Sequence, residues 1–388
     1  MTRLPPHFTL LQVTPELETG GAEQTTLDVA AAVVRAGGRS IVASRGGRMA
    51  LGLVASGAAL VEMPVHSKNP FTILANAVRL AALIEREKVS LVHVRSRAPA
   101  FSALIAAKAM RVPFLATYHG VYGGGGALKR WYNAIMTRGE VVIANSEFTR
   151  ERVIAEHRID PAKVIAIPRG VDLARFDPAK VPAERVQALG QRWAVGPGDG
   201  RVKFLLAGRL TRWKGQRLLI EAAARLKAEG RSDFQVLLVG DDQGRGAYRQ
   251  ELASQIAAAG LGEAVRLVGH CDDMPAAYLL ADVACTPSLQ PEPFGRTAVE
   301  PQAMGRPVLA ADHGAARETV VAGETGWLVP PGDAAAWAKA MAAAIDAGPK
   351  RRAAMGKAGA ARARKLYSVE AMCEATLAVY VRLAGRRG

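Results

Sequence analysis

Two glutamates eight residues apart, Glu292 and Glu300, frame the centre of a proline-rich stretch running from Thr286 to Pro307. Pro287, Pro291 and Pro293 forbid regular structure and stiffen the loop that carries Glu292. Phe294-Gly295-Arg296 then opens a short helix, which places Glu300 about two turns down it. If the whole segment is helical, the carboxylates lie roughly 12 Å apart along the axis. They are then too far apart to share a proton and suit the two ends of an extended ligand. Between them the helix start offers backbone N–H groups to a phosphate. A second loop, Gly208-Arg209-Leu210-Thr211-Arg212-Trp213-Lys214-Gly215, stands between a strand end and a helix start. Its Arg209 reads phosphate oxygens with a planar fork, and its Lys214 adds a compact point charge. Two such cations and a helix N-terminus together would neutralise a diphosphate.

The first half carries a smaller set. In Thr117-Tyr118-His119-Gly120 a histidine stands at the C-terminal edge of a strand, backed by the flexible run Tyr122-Gly123-Gly124-Gly125-Gly126. Gly20-Gly21 opens the first helix and lets a backbone or ligand approach closely. No G-x-G-x-x-G with a following acid is present, so this is not a dinucleotide fingerprint. His93, after the fourth strand, fits a core role or a site role equally. Asn145-Ser146 reads as the cap of the next helix.

These residues are positioned by a regular alternation. Apolar, uncharged strands are expected near residues 8–13, 40–44, 60–63, 91–94, 114–118, 141–144 and 164–168, with helices over 23–35, 72–87, 98–110 and 146–156. The strand signal stops between Gly170 and Gly200, which reads as a connection between domains. It restarts with strands near 203–207, 234–239, 265–268, 283–286, 307–310 and 326–329, and helices over 334–347, 350–366 and 369–383 close the chain. Strands of this kind form parallel sheets covered by helices on both faces. The expected class is therefore α/β, with two doubly wound Rossmann-like domains facing each other across a cleft: residues 1–180, joined by the helix 368–388, and residues 198–367. Ligands of such sheets bind beyond the strand C-termini.

The combination G-R-x-x-x-x-K-G at Gly208–Gly215 with E-P-F-G-x-x-x-x-E at Glu292–Glu300 resembles the family-4 retaining glycosyltransferases of the GT-B fold, in particular bacterial lipopolysaccharide- and exopolysaccharide-type enzymes. The likeness spans nearly the whole chain and includes G-E-T-G-W-L-V-P-P-G-D at Gly323–Asp333. It implies that Glu292 holds hydroxyls of the donor sugar and that Glu300 takes the ribose. It implies that the N–H groups at Phe294, Gly295 and Arg296 meet the donor diphosphate together with Arg209 and Lys214, and that Gly208 and Thr297 belong to the donor-binding site. His119 would stand beside the transferred sugar, and Gly20 and Gly21 would lie in the loop that closes over the donor phosphate and the acceptor side. The chain departs from the family in having Pro168-Arg169-Gly170 where P-N-G is common, and Glu300-Pro301 where E-A is usual. A proline there removes a helix hydrogen bond.

The implied activity is metal-independent transfer of a sugar, with retention, from a UDP- or GDP-sugar to a hydroxyl of a growing cell-surface glycan or lipid-linked acceptor. Three scattered cysteines, seven dispersed histidines and no D-x-D leave no metal pattern, and no cofactor is expected. The 388 residues carry 49% hydrophobic and 22% charged side chains, those of a folded protein, with a net charge of +16. From Ile345 to Gly388 ten basic residues face three acidic ones. With aromatics at only 5%, an anionic membrane surface is a better partner than nucleic acid. No apolar run reaches a membrane span, and the first residues lack a secretory signal, so the expected location is cytoplasmic, peripheral on the inner face of the plasma membrane. The competing readings are a glycoside hydrolase using Glu292 and Glu300 as acid and base, a GT-B nucleotide-sugar epimerase or hydrolase, and a non-enzymatic basic adaptor on a membrane.

Overall fold

The computed structural model describes residues 2–18, 20–120, 126–196, 198–244 and 246–385; the glycine-rich run expected at 122–125 lies outside them. The chain divides into two compact units, Met1–Gly170 with Val369–Gly388, and Val171–Ser368.

The first unit alternates β1 (Thr9–Val13), α1 (Gly21–Arg35), β2 (Arg39–Ser44), α2 (Ala50–Ala55), β3 (Ala59–Glu62), α3 (Pro70–Arg86), β4 (Leu91–Val94), α4 (Arg97–Ala109), β5 (Phe114–Tyr118), α5 (Ala127–Asn133), β6 (Val141–Ala144), α6 (Glu147–His157) and β7 (Val164–Ala166). Its seven parallel strands run in the order β3-β2-β1-β4-β5-β6-β7. β1, β4, β5 and β6 are buried along their whole length, which is why their sequences are uncharged. Leu80, Leu83 and Ile84 of α3, Ala100, Ala103 and Ala107 of α4 and Val153 of α6 pack on one face of the sheet. On the other, Val29, Ala32 and Val33 of α1 meet the C-terminal helix through Met372, Leu377 and Tyr380.

The second unit begins with α7 (Ala183–Arg192), inside the stretch that the sequence presents as a bare connection. Leu189, Trp193 and Val195 are buried against Tyr278 and Ala281, so this segment is part of the unit's core. There follow β8 (Val202–Ala207), α8 (Gln216–Ala228), β9 (Phe234–Val239), α9 (Gly246–Ala258), β10 (Val265–Gly269), α10 (Met274–Leu280), β11 (Val283–Thr286), α11 (Arg296–Ala303), β12 (Val308–Ala311), α12 (Ala316–Thr319), β13 (Gly326–Val329), α13 (Ala334–Asp346) and α14 (Gly348–Leu366); α15 (Val369–Ala384) returns to the first unit. The six parallel strands run β10-β9-β8-β11-β12-β13. The strand order reverses between β1 and β4 in one sheet and between β8 and β11 in the other. Those switch points are where a doubly wound sheet leaves a crevice.

The basic C-terminal stretch is not one surface. α14 belongs to the second unit and α15 to the first. Arg352 is buried and donates to the carbonyls of Ala344 and Ile345 at the end of α13, while Arg362 donates to Glu318 O. Among the described residues no helix is long and apolar enough to cross a membrane.

Candidate functional site

Three loops of the second unit, after β8, β11 and β12, converge on Glu292. Lys214 closes a single 3-10 turn (Arg212–Lys214), and its Nζ lies 2.6 Å from Glu292 Oε1. Ser288 Oγ donates to the same oxygen at 2.6 Å. Two donors therefore share Oε1, while Oε2 takes no hydrogen bond from the described residues. Both ion-pair partners are mostly buried, with side-chain exposures of 13% and 16%. The Lys214 ammonium also sits 4.4 Å from the centre of the Trp213 ring.

The backbone fixes this pair closely. Leu289 N donates to Trp213 O at 2.7 Å, joining the loops after β8 and β11. Ala315 N donates to Glu292 O at 3.0 Å, and the ring Nε2 of His313 lies 2.8 Å from Ser288 O. Gly215 is left-handed (φ 78°) and lies so near the Pro287 carbonyl that a side chain would collide with it. Gly314 (φ 61°) would bring a Cβ to 2.7 Å and 2.8 Å from Glu292 O and N. Ser288, His313 and Gly314 were not singled out in the sequence. Their signal is only that each follows a strand of the switch-point half of the sheet.

Residues 292–295 are not helical; α11 starts at Arg296 with left-handed Gly295 (φ 79°) as its N-cap. The axial separation expected for a continuous helix therefore does not apply to Glu292 and Glu300. No side chain caps α11, so the N–H groups of Arg296 and Thr297 remain at an open helix start. The Phe294 side chain is buried edge-on against Tyr367, with ring centroids 5.6 Å apart, leaving only its backbone for a ligand. Glu300 is buried, and both its oxygens are engaged: Oε1 by Arg296 (Nε 3.1 Å, Nη2 2.9 Å) and Oε2 by the Tyr278 hydroxyl at 3.2 Å. Burial pushes its carboxyl up, against the pull of Arg296. Pro301 lies inside α11.

Gly208 (φ 155°) follows β8, its carbonyl pressed against Gly240, where a Cβ would clash. Arg209, next to it, is exposed, and its guanidinium has no ion pair or hydrogen bond among the described residues. It takes no part in the Lys214–Glu292 contact.

In the first unit His119 follows β5. Its carbonyl accepts from Arg169 Nη2 and from Asn145 Nδ2, each at 3.2 Å. The residue is partly exposed, yet both ring nitrogens are buried and without a partner among the described residues. Burial first, then the Arg169 and Arg95 cations, holds the imidazole well below the usual histidine range, so it is neutral. Gly20 is the extended N-cap of α1, and the Arg169 guanidinium occupies the space a Gly21 side chain would need. His93 is a structural residue: it is buried, with Nδ1 2.6 Å from Tyr380 Oη and Nε2 2.7 Å from Thr117 Oγ1. Ser146 caps α6 by accepting from Thr149 N.

Residues 190–362 match the family of glycosyl transferases group 1, and residues 19–175 match Glycosyltransferase Family 4. A glycosyltransferase from Rickettsia africae, of known crystal structure, is 33% identical over 98% of this chain and 99% of its own, with a TM-score of 0.90. The chain belongs to this glycosyltransferase family. The D-inositol 3-phosphate glycosyltransferase of Kineococcus radiotolerans is 37% identical over 262 residues, 64% of this chain and 58% of that protein. This glycosyltransferase thus spans little more than half the length of the curated relatives it matches. The structure of Anabaena HepE with UDP and glucose has the same fold, at a TM-score of 0.82 and 24% identity over 96% of this chain and 99% of that one. Both units of the glycosyltransferase are thus the Rossmann-like sheets of the GT-B fold.

Proposed function

We propose that this glycosyltransferase moves a sugar from a nucleotide diphosphate sugar, with a uridine or guanosine base, to an acceptor hydroxyl with retention of configuration and without a bound metal. The observation that carries the reading is the Lys214–Glu292 pair at the β8/β11 switch point beside the open start of α11. A lysine has three N–H donors, so Lys214 can keep Glu292 and still meet a phosphate oxygen. Arg209 and the N–H groups of Arg296 and Thr297 add donors where the leaving diphosphate gathers charge. The unused Glu292 Oε2 accepts from a sugar hydroxyl. Glu300 takes the ribose through lone pairs left beside Arg296 and Tyr278. In the first unit, neutral His119 is assigned a hydrogen bond to a hydroxyl of the transferred sugar, and Gly20-Gly21 a place beside phosphate.

In this mechanism the acceptor oxygen attacks the anomeric carbon on the face the diphosphate leaves. The bond from that carbon to the phosphate oxygen breaks, the bond to the acceptor forms, and the departing phosphate oxygen receives the acceptor's proton. The acceptor we favour is a growing cell-surface or lipid-linked glycan of the lipopolysaccharide or exopolysaccharide kind, met at the cytoplasmic face of the membrane; the net charge of +16 supports an anionic setting. A small phosphorylated polyol is the second reading, supported by the names of the curated relatives and by Arg169 beside His119.

The test is a panel of nucleotide sugars scored by thermal stabilisation of the protein, followed by turnover with each acceptor class and proton NMR of the product. A retained anomeric configuration, and turnover unchanged by a chelator, are expected. No stabilisation by any nucleotide sugar, or product formed without one, sinks the reading in favour of a hydrolase or an adaptor.

A further inference from the structure

Of the ten large apolar side chains exposed among the described residues, six lie on three helices of the first unit: Phe71, Leu74 and Val78 on α3, Ile105 on α4, and Leu128 and Trp131 on α5. Phe71 and Leu128 are exposed to 82% and 80%, values that no core role explains. Phe71, Leu74 and Val78 follow helical spacing, so they form one outward stripe opposite Leu80, Leu83 and Ile84 in the core. α4 packs beside α3, and Phe101 of α4 touches Trp131 and Tyr132 of α5 at ring distances of 5.8 Å and 5.3 Å. The three helices are therefore one layer.

Charge singles out the same layer. Residues 63–139 hold eleven lysines and arginines, of which Arg95 is buried against Gln12 and not on the layer, and only two acids, Glu85 and Glu87. Both acids stand at the far end of α3, and Glu87 is already paired with Arg39 and Arg86. Lys68, Arg79, Lys129 and Arg130 are exposed, and none has a carboxylate partner among the described residues. α3, α4 and α5 each follow the C-terminal end of a strand, so Phe71 and α5 lie toward the sheet edge that carries His119. A second copy of the chain would bring two equally cationic faces together, which repel. An anionic bilayer complements both features: the apolar side chains enter the headgroup boundary and the cations meet lipid phosphates.

We propose that the α3–α5 layer of the first unit is the surface by which this glycosyltransferase docks on an anionic lipid bilayer. This deepens the membrane reading above by moving it from the C-terminal basic stretch to a defined face. Sedimentation of the full chain with phosphatidylglycerol–phosphatidylcholine vesicles, and with phosphatidylcholine alone, tests it. The protein binds the anionic vesicles, leaves the neutral ones, and detaches as salt rises. Lys129→Gln with Arg130→Gln lowers the partition coefficient roughly thirtyfold. Leu74→Ser with Val78→Ser lowers it as well, while Lys350→Gln with Arg351→Gln does not. Stabilisation by a nucleotide sugar is unchanged in all of these variants, which keeps the sugar-transfer reading separate.

If wild type ignores anionic vesicles, both the membrane reading and this surface fall. If it binds and the α5 and α3 variants bind equally well, only the surface falls. Salt-sensitive binding to a nucleic-acid oligomer instead of vesicles, or a dimer abolished by the same substitutions, also overturns the assignment.

Discussion

Lys214 Nζ and Glu292 Oε1 are 2.6 Å apart across 78 residues of sequence, and Ser288 donates to the same carboxylate oxygen. The contact joins the loop after β8 to the loop after β11, so the two halves of the sheet meet at one ion pair. It leaves the second Glu292 oxygen and two lysine protons for a ligand. Lys214→Met therefore removes a phosphate donor and frees Glu292 from its anchor at once. Expected is a loss of roughly 10²–10³ in kcat. In a double-mutant cycle with Glu292→Gln the two effects are strongly non-additive, because each single change already breaks the pair. Independent, additive losses would show that the residues act on separate parts of the reaction.

Much of this was readable in the chain. The strand runs announced both sheets because fully buried parallel strands must be apolar, and β4, β5, β6, β9, β11 and β13 have the expected limits. The loops carrying Lys214 and Glu292 were found through their prolines, glycines and charges. What the sequence hid depends on contacts distant in sequence. His93 could not be assigned without Tyr380, which reaches it from 287 residues away. The axial spacing of the two carboxylates held only for a helical segment, and left-handed Gly295 caps α11 at Arg296, leaving Glu292 in the loop that its prolines announced. α7 was missed although Val186, Leu189 and Trp193 recur at helical spacing and pack on one core, because the prolines and glycines around them, Pro178, Pro182 and Gly196 among them, read as a connection. The apolar face of α3 to α5 was hidden because exposure belongs to the fold.

Gly314 should be intolerant of any side chain. Its left-handed φ of 61° disfavours an L residue, and a Cβ would press on Glu292 O and N at 2.7 Å and 2.8 Å, both backbone atoms that cannot rotate away. Gly314→Ala should cost roughly 2 kcal/mol or more in denaturant unfolding, from left-handed strain plus the contact. Turnover should fall too, since the strain is relieved by shifting Glu292. A fully stable and fully active alanine variant would show that the loop after β12 does not set the carboxylate's position.

Histidine burial predicts the acid limit of the first unit. Burial, ahead of Arg95 and His119, holds His93 well below its usual range, and burial ahead of Arg169 and Arg95 does the same to His119. With folded pKa values depressed, the unfolded chain binds the extra protons as pH drops through about 6.5, so stability falls with acid and rises toward neutrality. Each histidine contributes a slope of up to roughly 1.4 kcal/mol per pH unit below that point. His119→Asn should fold normally, because the ring nitrogens have no partner to lose, and should flatten the slope between pH 6.5 and pH 5, leaving His93 and His157, which burial also lowers, to carry the rest. An unchanged slope in unfolding curves would mean that His119 takes up its proton without unfolding.

Arg209 separates function from structure most cleanly. Its guanidinium is exposed and makes no hydrogen bond or ion pair with the described residues, although it follows β8 only five positions before Lys214. Arg209→Ala should therefore change unfolding stability by no more than about 0.5 kcal/mol. If the residue meets the leaving diphosphate, the same variant should lose roughly 10²–10³ in kcat. Thermal stabilisation by the free nucleoside diphosphate should weaken as well, because the fork-shaped donor also meets the diphosphate in the ground state, while the loss in kcat reads the stronger contact made as the leaving group gathers charge. Arg209→Lys should recover only part of the loss, since an ammonium keeps the charge and not the two-pronged geometry. Full turnover in Arg209→Ala would remove this cation from the mechanism and leave Lys214 and the start of α11 to carry the leaving group alone.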